Sequence, residues 1–252
     1  RFPDNNVKLE NLYVRQSWRP IFDKIIKNNK SKWDKMNSYL SDCLKNGEQI
    51  FPYPDLIFAP FNATPFDKIR VVFVGQDSYF NEQIVEAGTF PEAMGLCFSV
   101  PNGLPIPSSL QNIYKNGVKY KILSKEPTNG NLTMWAKQGC LMMNSALSVI
   151  KKKPNTHAKV WSWFTDEIIK HISETNDKIV FVLWGAFALK KCEKIDATKH
   201  KFIISSHPSG LSCHSGFRNY PAFVNNNHFE QINEYLKENN KNIILWDLIN
   251  YV

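Results

Sequence analysis

The chain lacks any apolar run long enough to cross a bilayer, and no N-terminal pattern of a secretory signal is visible. It also lacks paired cysteines. The five cysteines, at 43, 97, 140, 192 and 213, are odd in number and contain no C-x-x-C pair, which argues against a disulfide framework and for reduced thiols in an intracellular protein, its compartment left open. His200, His207 and His214 recur near Cys192 and Cys213, but seven-residue spacing is no ligand pattern, so neither a metal nor another cofactor is expected. The first residue is Arg1 rather than Met, which predicts a fragment of a longer product.

What is present is a 252-residue chain with 43% hydrophobic residues, enough to bury one substantial core. Lys and Arg number 31 against 23 Asp and Glu, and the resulting net charge of +8 favours a polyanionic partner. Apolar residues at helical spacing, Trp18 to Ile26 and Trp33 to Leu44, predict amphipathic helices within a segment 1–50 that packs on a core domain 51–252.

Four apolar, β-branched runs follow. Val71 to Val74 ends in Gly75-Gln76-Asp77, Cys140 to Met143 ends at Asn144, Ile179 to Trp184 ends at Gly185-Ala186, and Phe202 to Ile204 ends in Ser205-Ser206-His207. Each reads as a strand buried on both faces. Helical patterns over 110–120, 161–172 and 186–192 separate them, which predicts a single α/β domain: a central four-stranded, mainly parallel sheet flanked by helices on both faces. Parallel strands place all four ends on one edge. Asp77 alone reads as a turn residue, but a carboxylate, an amide, a glycine turn and an imidazole gathered on one edge read as a site.

Other features have ordinary readings. Phe98, in the run Gly95 to Val100, reads as core. Ser108 and Ser109 precede a helix and can cap it or hold a phosphate. Residues 81–94 read as a polar loop, Lys151-Lys152-Lys153 as a solvated turn, and Trp161 and Trp163 as core-facing helix residues. The tail from Phe229 to Trp246 reads as a helix followed by a strand or packing segment.

In chain order, V-F-V-G-Q-D-S-Y, G-L-C-F-S-V, the proline-serine loop before S-L-Q-N-I-Y, W-A-K-Q-G-C-L-M-M-N-S, V-L-W-G-A and H-P-S-G-L-S resemble a family 1 uracil-DNA glycosylase. The resemblance implies a DNA-repair enzyme that flips uracil from DNA, hydrolyses the N-glycosidic bond and leaves an abasic site. In it Asp77 resembles the acid that orients the attacking water, and His207 the neutral imidazole that donates to uracil O2. Asn144 resembles the amide that reads the uracil edge, Gln76 a second pocket contact, Phe98 the ring on which uracil stacks, and Tyr79 the wall that rejects a thymine methyl. Leu211 resembles the plug that enters the duplex, and Ser108, Ser109, Ala186, Ser209 and Ser212 fall in phosphate-gripping loops. The partners implied are uracil-containing DNA, single- or double-stranded, and a proteinaceous DNA-mimic inhibitor, with the chain a monomer.

The chain departs from that pattern. Where G-Q-D-P-Y-H is usual it has Ser78 and Phe80, and Phe80 cannot make a histidine's hydrogen bonds. Ala186 replaces a serine, Gly210 a proline, and Ser215 a frequent basic residue, while 81–94 and 218–228 are longer than usual. The expectation is a kept base pocket with weaker or redistributed DNA grip. The alternative is a replication accessory module on the same fold that binds DNA with little or no turnover.

Overall fold

The computed structural model of the protein describes residues 2–247. In chain order its elements are α1 (Arg19–Asn28), α2 (Lys30–Lys45), β1 (Ile50–Phe51), α3 (Ala59–Ala63), β2 (Val71–Asp77), β3 (Glu82–Val85), β4 (Gly88–Pro91), α4 (Ser108–Lys119), α5 (Thr133–Lys137), β5 (Cys140–Ala146), β6 (Val149–Ile150), α6 (Ala158–Thr175), β7 (Val180–Trp184), α7 (Gly185–Leu189), β8 (Lys201–Ser205) and α8 (His228–Glu238). The four-stranded sheet has the order β5-β2-β7-β8, and every pairing in it is parallel.

Strand periodicity explains why these runs are apolar throughout. Val72, Val74, Leu141, Met143, Phe181 and Leu183 face one layer, which contains α1, α2 and α6. Their neighbours Val71, Phe73, Cys140, Met142, Val180 and Val182 face the other, which contains α4, α5 and α8. Successive side chains point to opposite faces, and a helix layer covers each face, so these runs of β2, β5 and β7 are buried on both faces. Contrary to expectation β8, at the sheet edge, is not, with Lys201 exposed and Phe202 and Ile204 only partly buried. The first layer is held by edge-to-face aromatic contacts of Phe22 with Trp18, Phe58, Phe61 and Phe164. The predicted helices at the N-terminus are thus α1 and α2, wrapped on the sheet. Residue 1 and residues 248–252, the outer ends of the two expected regions, lie outside the described residues.

Two further local features differ from expectation, and in a third, the tail, one of two expected alternatives is met. Residues 81–94 contain the hairpin β3–β4, paired from Glu82↔Pro91 to Val85↔Gly88. The alternation that marks a half-buried strand is missing because the hairpin projects into solvent, with Ile84 84% exposed. Strand β2 continues past Gly75 through Asp77, which pairs with Ala146, so Asn144 lies within β5 rather than at its end. The tail forms no strand among the described residues; Ile244 and Trp246 are buried packing residues, and the Trp135 indole N–H donates to the Trp246 carbonyl at 2.8 Å.

Candidate active site

The carboxyl edge of the sheet brings the four strand ends together through close backbone packing. Gly75 lies opposite Asn144, and a Cβ on it would stand 2.1 Å from Asn144 Oδ1 and 2.8 Å from Cys97 Cβ. Glycine is therefore required for the Asn144 amide to lie across β2. Gly185, at φ +87°, turns the chain from β7 into α7, and a Cβ there would stand 3.0 Å from His207 Cβ. His207 is seated on that turn.

Phe98 is partly buried rather than a core residue, and its backbone has φ +64°. A bulky side chain in the left-handed region is costly, and such strain is concentrated at functional sites. The ring lies 5.9 Å from the His207 ring and 5.6 Å from Trp184, centroid to centroid. The Tyr79 hydroxyl donates to the Phe98 carbonyl at 3.3 Å, which ties the β2 end to this platform. Trp184 is itself fixed, its indole N–H donating to His228 Nδ1 at 3.2 Å while its ring meets Phe73 and Phe223 edge-on.

The protonation of the site follows from its hydrogen bonds. The Ser209 N–H donates to His207 Nδ1 at 3.1 Å, so in the neutral ring the proton sits on Nε2. Burial pushes the imidazole down to about 4, which keeps it neutral at pH 7. Asp77 is partly buried, and burial raises its carboxyl above the ordinary range while the Asn155 N–H, donating to Oδ2 at 2.6 Å, opposes the shift. Asp77 Oδ1 is buried without a protein partner. Burial, then the nearby Glu92, raises the Tyr79 hydroxyl, which stays protonated.

The expected DNA-gripping residues surround this set. Ser108 and Ser109 open α4, whose start has no side-chain cap. From the same helix Asn112 Nδ2 donates to the Pro208 carbonyl at 2.8 Å, joining α4 to the loop after β8. That loop closes on itself where the N–H groups of Ser212 and Cys213 both donate to the Ser209 carbonyl at 2.9 Å, and at its tip Leu211 is 98% exposed. Ala186 is exposed on α7 and, with Gln76, Phe187 and His207, lines a cavity of about 260 Å³. Gly75, Gln76 and His207 place that cavity against the site, whereas Asp77, Tyr79, Phe98 and Asn144 lie outside its lining.

Phe80 packs with Tyr79 against a small apolar cluster of Phe51, Ala93 and Val149, and Ser78 is buried. The lysine turn is partly neutralised: Lys151 pairs with Glu82 and Lys153 with Glu48, each at 2.5 Å. Sequence reasoning missed Asn155, whose Oδ1 accepts from Gln76 Nε2 at 2.6 Å while its N–H holds Asp77. The only signal was an asparagine after proline, a turn residue that tolerates its φ of +62°. It also missed Trp184 as the support of Phe98. Among the described residues no group of three or more His, Cys, Asp or Glu is placed to hold a metal ion.

An edge of an α/β sheet that offers a flat aromatic platform, an amide, a neutral imidazole donor and a half-buried carboxylate has the chemistry to hold and polarise a planar heterocycle, the class of enzyme to which this geometry points. Comparison with known proteins narrows this class. The model of the uracil DNA glycosylase superfamily matches residues 61–237. The uracil-DNA glycosylase of Campylobacter fetus subsp. fetus is 41% identical over 247 residues, covering 97% of this chain and 98% of that protein. The crystal structure of mimivirus uracil-DNA glycosylase superposes with a TM-score of 0.92 at 39% identity, covering 98% of this chain and 92% of that one. A variant of the mimivirus protein in complex with UGI superposes at 0.90 with 40% identity, covering 98% and 93%. With a family match over most of its length and relatives this similar, the chain belongs to the uracil DNA glycosylase superfamily.

Proposed function

We propose that this chain is a family 1 uracil-DNA glycosylase that rotates uracil out of DNA, hydrolyses the N-glycosidic bond and leaves an abasic site. The observation that carries the reading is the His207 tautomer: a partly buried, neutral imidazole whose Nδ1 accepts from the Ser209 N–H carries its proton on Nε2, with its ring 5.9 Å from that of Phe98. Uracil departs as an anion, and a donor fixed where that charge collects lowers the barrier by about 2.7–4 kcal/mol.

The other residues act around that donor. Phe98 stacks the base, and Asn144 pairs with N3–H and O4. Cytosine reverses that donor and acceptor and would leave buried groups unpaired, which can discriminate by about 10⁴ to 10⁵. Tyr79, held to the Phe98 carbonyl, stands as a rigid wall against a 5-methyl group. As the bond breaks, the sugar gains positive charge, which the Asp77 carboxylate stabilises. Its free Oδ1 accepts a hydrogen bond from the attacking water, which adds to the sugar carbon while its proton passes to the carboxylate.

Outside the pocket, unstacking the nucleotide costs a few kcal/mol. Leu211, exposed on a self-closed loop, fills the gap that the base leaves. Ser108, Ser109, Ala186, Ser209 and Ser212 hold the backbone. A proteinaceous DNA mimic is a further partner of this face, supported by the mimivirus relative solved with UGI.

Phe80 favours a second reading, since an apolar side chain at that position gives the reacting water no donor. On that reading the chain is an accessory module that binds DNA without turnover. Incubation with a single-stranded uracil-containing oligonucleotide separates the two: free uracil and an alkali-labile site are expected. Binding without release would overturn the enzyme assignment, and phosphate or sugar products would indicate different chemistry.

A further inference from the structure

Resting on the glycosidase reading, we propose that Asn155 is the positioning residue of this site, one side chain and one backbone N–H that together set the orientation of Gln76 and Asp77. The two contacts are short and go to consecutive residues: Asn155 N–H to Asp77 Oδ2 at 2.6 Å, and Gln76 Nε2 to Asn155 Oδ1 at 2.6 Å. Among the described residues the Asn155 N–H is the only hydrogen-bond donor to the Asp77 side chain, and Phe80 offers none.

The loop that carries Asn155 is over-determined. The Lys153 N–H donates to the Ile150 carbonyl at 3.0 Å, the Thr156 hydroxyl accepts from the Ile150 N–H at 3.0 Å, and the same hydroxyl donates to the Lys153 carbonyl at 2.9 Å. The Lys152 N–H donates at 2.8 Å to the carbonyl of Phe80, which ties the loop to the segment bearing Asp77. Asn155 itself sits at φ +62°, a conformation that asparagine adopts far more readily than β-branched residues do. A rigid loop thereby aims a donor at one carboxylate oxygen and leaves the other, buried and unpartnered, in need of a donor that a water molecule supplies. Burial and this N–H are the causes of the Asp77 pKa shift, and no charged side chain enters.

Three substitutions test the proposal, with kcat, KM and pH profiles measured on a single-stranded uracil oligonucleotide and folding checked by thermal melting. Asn155→Gly keeps the backbone geometry and the N–H but frees Gln76, so KM rises while kcat stays near wild type. Asn155→Val cannot hold the left-handed backbone. Its kcat falls by about 100-fold, the scale of an ångström-sized misplacement, and its KM rises as in Asn155→Gly because valine also frees Gln76. Its acid limb also moves to higher pH because the carboxylate has lost its donor. Asn155→Asp tolerates the backbone and sets a second carboxylate beside Asp77, so its acid limb moves up while activity recovers above it. NMR titration of the Asp77 carboxyl reads the same hold without turnover, and Asn155→Val is expected to raise that pKa. A wild-type titration curve in Asn155→Val, or equal losses in all three variants with unmoved pH limbs, would overturn the proposal. Absence of uracil release by the wild-type chain would instead overturn the glycosidase reading, and the NMR titration would still decide the role of Asn155.

Discussion

At the residue scale burial shifts two titratable groups in opposite directions. It pushes His207 down to about 4, so the imidazole is neutral at pH 7, and it raises the Asp77 carboxyl above the ordinary aspartate range. The role proposed for Asp77 requires its ionised form, so kcat is expected to fall as pH drops through its raised pKa, with the limb above the ordinary aspartate range. A kcat profile flat down to the ordinary range would remove Asp77 from the water-activating role. Gly75 gives a second prediction. Gly75→Ala places a methyl group where Asn144 Oδ1 now lies, so uracil release should fall by about 100-fold with the fold intact, as measured by kcat/KM and melting temperature. Of these residues, Asp77, Asn144 and His207 were legible because each follows an apolar run in a pattern that names the edge. Asn155 was not, since its contacts join residues 78 and 79 positions apart and leave no local spacing to read.

At the scale of elements, β2, β5 and β7 were legible because burial on both faces makes their runs apolar throughout, whereas β8, at the sheet edge, has Lys201 exposed and Phe202 and Ile204 only partly buried. The hairpin β3–β4 was not, because solvent surrounds it and its polar and apolar residues carry no burial pattern. The wedge loop is readable at a finer level. The Ser212 N–H donates to the Ser209 carbonyl, which makes Gly210 the second residue of a turn, a position that proline favours. Gly210 is not in a left-handed conformation, and a Cβ there would meet nothing within 4 Å. Gly210→Pro should therefore stabilise the loop, by roughly 0.4–1 kcal/mol through the unfolded chain, and raise excision from duplex more than from single-stranded DNA. Leu211→Ala should do the reverse, lowering duplex excision while leaving single-strand release nearly unchanged. Equal effects on both substrates would argue against a wedge.

At the scale of the whole molecule, charge and buried histidines set the response to conditions. With a net charge of +8, binding to DNA should weaken steeply with added salt. Burial lowers His157 to about 4 and His228 to about 3, and both are fully buried. The unfolded chain takes up those protons near pH 6.5 and the folded chain resists until far lower pH, so stability is present above 6.5 and lost as pH falls. At pH 5 each histidine costs about 2 kcal/mol, so the melting temperature should drop clearly between pH 7 and 5. A melting temperature unchanged over that range would mean that the histidines are charged in the fold.

The most direct measurement compares the wild-type chain with Asp77→Asn for uracil release and DNA binding on one single-stranded uracil oligonucleotide. Wild type is expected to release free uracil, and Asp77→Asn to lose turnover by orders of magnitude while binding with similar affinity. Equal release by both proteins, or loss of binding in parallel with turnover, would contradict the central role given to Asp77.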